Sequence, residues 1–223
     1  MRKNLFSLRA TVLAVALVAT TATASAANFS ASLNFDNVAS DSVADTALGS
    51  YVSLIHFGNA DTVDDVDAFG SLTGTFHWVD ATATFGNVLA KNDGTAVSGS
   101  NVLWNDHQPI LVMFSAPQTL ASFSIQQDSS SFGNLQTNGV YMAFLDSTGH
   151  EITGAQFSCT QNGNPGLLIE SNATYANVSA VLLAGGKSYD NMAVTAVPEP
   201  DAYALMLAGL GLFGLMARRR RSH

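Results

Sequence analysis

The chain has one cysteine, five prolines and only nine Lys plus Arg in 223 residues. A lone Cys159 excludes an internal disulfide, so an exported domain of this sequence must draw its stability from a core or a bound metal. The basic residues are also displaced to the two ends: Arg2, Lys3, Arg9 and Arg218 through Arg221. Between Ala27 and Val197 only Lys91 and Lys187 stand against thirteen aspartates and two glutamates, a net of −13. That excludes nucleic acid as a partner, because phosphate binding runs on clustered Lys and Arg. Carboxylates at this density suit calcium, a cationic surface or simple solubility.

Catalytic signatures are missing as well. The chain has no G-x-S-x-G elbow, no H-E-x-x-H and no C-x-x-C, and His56, His77, His107, His150 and His223 include no pair at helical i, i+4 spacing. A zinc site and an enzyme are therefore not expected, although a triad of distant residues is defined by geometry and leaves a hydrolase open as an alternative. Asp61, Asp64, Asp65 and Asp67 form the densest acidic cluster. They lack the D-x-D-x-D-G order and distal Glu of an EF-hand and read as a solvated loop.

What is present begins with two appendages. Met1 to Ala26 has a charged start, an apolar run from Ala10 to Ala19 and small residues closing on Ala24-Ser25-Ala26. This is the layout of a secretory signal peptide cut after Ala26, which implies the general secretion machinery and signal peptidase as partners. At the other end, residues 202–217 are uncharged and apolar and are followed at once by Arg218, Arg219, Arg220 and Arg221. Sixteen helical residues span about 24 Å, short of but close to a bilayer core. Positive charge stays on the cytoplasmic side, so a single transmembrane helix would hold the domain on the periplasmic side. Gly209, Gly211 and Gly214 match G-x-G-x-x-G, but a nucleotide fingerprint needs a preceding strand and a βαβ unit.

The middle, residues 27–196, is rich in Gly, Ser, Thr, Asn and Asp, with short runs of alternating character. Phe29, Ala31, Leu33 and Phe35 fall on one face of a strand, with Ser30, Ser32 and Asn34 opposite. Further strands are expected at 51–57, 72–79, 83–89, 110–114, 120–125, 140–145, 152–157, 167–170, 176–183 and 189–195. Lys91–Gly94, Asp146–Gly149 and Gly185-Gly186 supply turn chemistry between them, and Asp146–Gly149 is expected to close a hairpin. The expected fold is all-β, a single jelly-roll-like β-sandwich flanked by the signal peptide and the transmembrane helix.

Val197-Pro198-Glu199-Pro200, the short apolar helix and the arginine cluster together resemble the PEP-CTERM sorting signal of Gram-negative bacteria. That resemblance implies recognition by an exosortase, a membrane-embedded processing enzyme, with cleavage near Pro198-Glu199-Pro200. It further implies an association with exopolysaccharide and biofilm matrix. The same tail also resembles what is described as an ice-binding protein C-terminal region. An ice-binding face needs a repeated threonine array, of which Ala81-Thr-Ala-Thr84 is one isolated fragment.

Two candidate sites remain in the domain. In related carbohydrate-binding jelly rolls, acids near the first and last strands hold a structural calcium, and Asp36 and Asp190 occupy corresponding places. They serve equally as polar edge residues of strands with one wet face. Trp104, Asn105 and Asp106 place an aromatic ring beside amide and carboxylate groups, a surface on which a sugar stacks and hydrogen-bonds. Trp104 as a core anchor is the competing reading. The function expected is thus an exported, non-enzymatic surface or matrix protein, delivered through a transient inner-membrane anchor. A carbohydrate-binding module of the matrix is the first alternative, an ice- or surface-binding adhesin or a hydrolase the next.

Overall fold

A computed structural model describes residues 28–60, 63–64, 72–78, 88–106, 108–127, 140–158, 167–198 and 207–211. The signal peptide with Ala24 and Ala26, the aspartates 61, 65 and 67, His107, Cys159, Glu199, Pro200 and the Arg218–Arg221 cluster lie outside the described residues.

Among the described residues the protein is an antiparallel β structure of eleven strands. They are β1 (Phe29–Leu33), β2 (Ser42–Val43), β3 (Ile55–Asn59), β4 (Leu89–Lys91), β5 (Val102–Trp104) and β6 (Ile110–Gln127). β7 (Met142–Leu145), β8 (Glu151–Phe157), β9 (Leu167–Glu170), β10 (Tyr175–Leu183) and β11 (Tyr189–Val197) follow. A 3-10 helical segment, Ala44–Ser53, lies between β2 and β3 and is kinked at Gly49, whose φ is +54°.

β6 organises the rest. Its first part, Ile110–Phe114, runs between β3 and β10, and through β10 reaches β7 and β8. Its second part, Thr119–Gln127, has β11 on one side and, on the other, the start of β10 at Leu120 and β9 from Ser124 on, and through β11 reaches β1, β5, β4 and β2. One strand therefore serves two groups of strands, the means by which corners are made where layers cross. Pro117 stands between the two parts, where no partner residue is registered opposite it and its missing N–H costs no ladder bond.

The faces so formed bury the alternating residues. In β1 the burial alternates as its sequence does, with Phe29, Ala31 and Leu33 inward. Phe123 of β6 meets Phe144 of β7 edge-on at 6.0 Å, and Phe35 meets Phe57 of β3 at 5.7 Å. Phe144 also packs on Phe157 and Tyr175, at 4.8 and 5.3 Å, so one ring joins β6, β7, β8 and β10.

The hairpin expected at Asp146–Gly149 is present. Asp146 N–H donates to His150 O at 2.8 Å and Gly149 N–H to Asp146 O at 3.1 Å. Gly149 has φ +83°, and a Cβ there would stand 2.5 Å from the Trp78 carbonyl oxygen, so the turn needs glycine on both counts.

Other expectations are corrected. Tyr51, Val52 and Ser53 belong to the 3-10 segment, and the strand expected over 51–57 runs from Ile55 to Asn59. The runs 110–114 and 120–125 are one strand rather than two. Residues 72–78 make only bridges, Leu72 to Val140 and His77 to His150. Residues 207–211, inside the expected transmembrane segment, are helical, with Leu207 and Leu210 exposed. Among the described residues no helix is long and apolar enough to cross a membrane; most of the 202–217 segment lies outside them.

Candidate functional site

The loop between β4 and β5 folds back over the start of β11 and the end of β1. The residues of it that meet the two carboxylates, Ser98 to Asn101, are small and polar. Asp36, three residues past β1, accepts through Oδ1 from the N–H groups of Ser100 at 2.7 Å and Asn101 at 3.0 Å. Asp190, in β11 and fully buried, accepts through Oδ2 from Ser98 N–H at 2.8 Å, and the Ser98 hydroxyl is shared between that oxygen, at 3.2 Å, and Asn191 Oδ1, at 2.9 Å. Its Oδ1 accepts from Asn191 N–H at 2.7 Å. Between the two contacts lies Gly99, with φ +60°, where any Cβ would overlap the Asp36 carboxylate.

Neighbouring bonds complete the fastening. Asn101 Nδ2 donates to the carbonyls of Phe35 and Val38, at 3.2 and 2.9 Å. Ser188 Oγ–H donates to Asp93 Oδ2 at 2.7 Å, and Asn191 Nδ2 to Gln126 Oε1 at 2.6 Å. The loop is thus a clamp, written in main-chain donors, across strands at opposite ends of the sequence.

Burial pushes the Asp190 carboxyl above its ordinary value. The hydrogen bonds from Ser98 and Asn191 work against burial without overcoming it, and the negative charge of Asp36 adds to the rise. The two acids singled out in the sequence are therefore close enough to feel one another. Calcium takes six to eight oxygens, whereas here three carboxylate oxygens already accept N–H and O–H donors. Among the described residues no group of three or more His, Cys, Asp or Glu converges on a metal position. The donor set fits a hydrogen-bonded clamp and falls short of a calcium cage.

Trp104, Asn105 and Asp106 sit where β5 ends. Trp104 is half-buried, and the Lys91 ammonium lies over its ring, 3.6 Å from the centroid. Asn105 is buried, and its Nδ2 donates to the carbonyls of Pro109 at 2.9 Å and Gln108 at 3.4 Å. The amide therefore closes the 105–108 turn instead of facing outward. Asp106 is exposed, with φ +34°. Of the three, Asp106 is exposed, Trp104 is half-buried under the Lys91 ammonium, and Asn105 is buried.

The tail leaves the sheet with no spacer. β11 is paired through Ala196 to Phe29 and through Val197 to Thr119, and Pro198 follows directly. Val197 and Pro198 are the described part of the Val-Pro-Glu-Pro signal.

Comparison with curated proteins and with solved structures returns no match over the chain. Comparison with protein families returns one, the PEP-CTERM protein-sorting motif, over residues 196–221. The matched range begins at the end of β11 and takes in Val197, Pro198, Glu199, Pro200 and the arginine cluster. The chain therefore carries at residues 196–221 a PEP-CTERM protein-sorting motif, the signal of an exported protein processed by an exosortase.

Proposed function

We propose that this is a non-enzymatic protein of the cell surface or extracellular matrix, a jelly-roll-like sandwich associated with exopolysaccharide and released from a transient inner-membrane anchor. The observation that carries the reading is the sorting motif at residues 196–221, which starts where the last strand ends. Because β11 lies between β1 and β6, the sheet is completed only when the residues adjoining the motif are in place. Processing near Pro198-Glu199-Pro200 then releases a finished domain, since no strand residue is removed. Replacing Pro198, Glu199 and Pro200 by alanine is expected to leave full-length protein in the membrane fraction of its native cells. Normal release of the triple variant would overturn the reading.

Binding of matrix polysaccharide is the finer part of the proposal, and the Trp104 ring is its platform. With Asn105 spent on its turn, stacking carries the contact, the sugar taking the place of the Lys91 ammonium that lies over the ring, and Asp106 is the exposed polar group two residues on. Trp104→Ala, with an unchanged circular-dichroism spectrum, is expected to lose pull-down by the exopolysaccharide of the producing cells. Undiminished pull-down would remove this site.

A further inference from the structure

Antiparallel pairing brings together two histidines from distant parts of the sequence. His77 and His150 form a bridge between the 72–78 segment and the residue preceding β8. The main-chain bonds flank the pair: Trp78 N–H donates to Gly149 O at 3.1 Å and Glu151 N–H to Phe76 O at 3.2 Å. The histidines therefore occupy a non-hydrogen-bonded position, the kind in which opposed side chains leave the same face and come closest. Their ring centroids are 4.4 Å apart, with the planes inclined at 43°. His150 is exposed and His77 half-buried, so the pair is open to solvent.

The hydrogen bonds also assign a tautomer. Thr148 Oγ–H donates to Asp146 Oδ1 at 2.6 Å. A hydroxyl has one proton, so toward His150 Nδ1, 3.0 Å away, the same oxygen can only accept. His150 Nδ1 consequently carries the hydrogen and Nε2 presents its lone pair. A carboxylate, a hydroxyl and an imidazole in series is the outer-shell arrangement that orients a metal-ligating histidine. Asp146 is held by three donors of its own turn, Thr148 N–H, Thr148 Oγ–H and His150 N–H, so this support is fixed by the hairpin.

We propose that His77 and His150 chelate a late first-row divalent cation, with Cu²⁺ the best match. Imidazole suits copper, nickel and zinc, and copper heads the affinity order among divalent ions of this row. Copper also accepts a tetragonal set of two nitrogens completed by water oxygens, whereas a structural zinc site wants four protein ligands. The net negative charge of the domain raises the local concentration of any cation.

The test uses the untagged full chain, titrated separately with Cu²⁺ and with Zn²⁺ by calorimetry, with electron paramagnetic resonance of the copper form. One Cu²⁺ per chain is expected at this site, with hyperfine coupling from two imidazole nitrogens. His77→Gln or His150→Gln should weaken binding about tenfold or more, and Thr148→Val, which removes only the outer shell, on the order of tenfold. His56→Gln, at a histidine paired with Asp45, should change nothing. Because the histidines are not core residues, circular dichroism of the glutamine variants is expected to stay that of the parent. Unchanged copper affinity in the folded His77→Gln, His150→Gln double variant, coupling from fewer than two imidazoles, or tighter binding of Zn²⁺ than of Cu²⁺ would each overturn the proposal.

Discussion

Phe144→Ala is expected to destabilise the domain by about 3–5 kcal/mol, the range for removing a buried phenyl ring. The ring is wholly buried and meets Phe123, Phe157 and Tyr175, which come from three other strands. Its loss leaves a cavity that those strands cannot close independently, because β6, β7, β8 and β10 are already held in register by their ladders. For a domain of this size the midpoint should fall by roughly 6–20 °C. Phe144→Leu, which keeps most of the volume, should cost under about 1.5 kcal/mol. A shift below about 1 kcal/mol for the alanine variant would mean that Phe144 does not join the strand groups as described.

Asp190→Ala is the second large effect, expected at roughly 2–4 kcal/mol from the donors it leaves without an acceptor. Ser98 N–H and Asn191 N–H would both lose their partner, and the loop clamp would open at its inner end. Gly99→Ala should open the same clamp from the other side by displacing Asp36. The pH dependence separates the carboxyl from its shape. The folded-state pKa of Asp190 lies above its ordinary value of 3.8, so its contribution to stability is fully present below 3.8 and is lost as pH rises through the raised folded value. The stability of the parent relative to Asp190→Asn should therefore grow as pH falls from 7 toward 4. Chemical denaturation at several pH values checks this, and a constant difference between the two proteins would contradict the assignment.

Asp146 has the opposite sign. Burial tends to raise its carboxyl, but the bonds from Thr148 and His150 and the charge of His150 outweigh burial and hold it below 3.8. Its contribution is present above 3.8 and is lost as pH falls through the lowered folded value. The two carboxylates thus act in adjoining acidic windows with contrary slopes.

Much of the β architecture was legible because alternation is a local property. Phe29 to Leu33, Leu167 to Glu170 and the turn at Asp146–Gly149 follow from residue type alone, since one face is buried and turn residues mark the ends. β5 has no such signature, because Val102, Leu103 and Trp104 are too few and too uniformly apolar to show a period. The residue pattern at Tyr51 reads as strand, although tertiary bonds decide for the 3-10 segment there. Tyr51 OH donates to Ser30 O at 2.8 Å, and Asp45 Oδ1 accepts from Phe57 N–H at 2.8 Å.

Sites depend on register more than on composition. Asp36 and Asp190 could be nominated together only through a likeness to other sandwiches, and the donors that meet them come from a loop with no signature of its own. His77 and His150 could not be paired at all, because their contact exists only once the 72–78 segment lies against the Asp146–Gly149 hairpin. By contrast the sorting motif is contiguous, and it was the functional feature readable directly from the residues.

The central claim, that the domain is exported and cut free at the end of β11, is tested most directly by mass spectrometry of the protein from its native cells. Intact mass and the C-terminal peptide should be compared between membrane and released fractions. The released protein is expected to end near Val197–Pro200, with β11 whole and Arg218 to Arg221 absent. A released protein that still ends at His223 would contradict it.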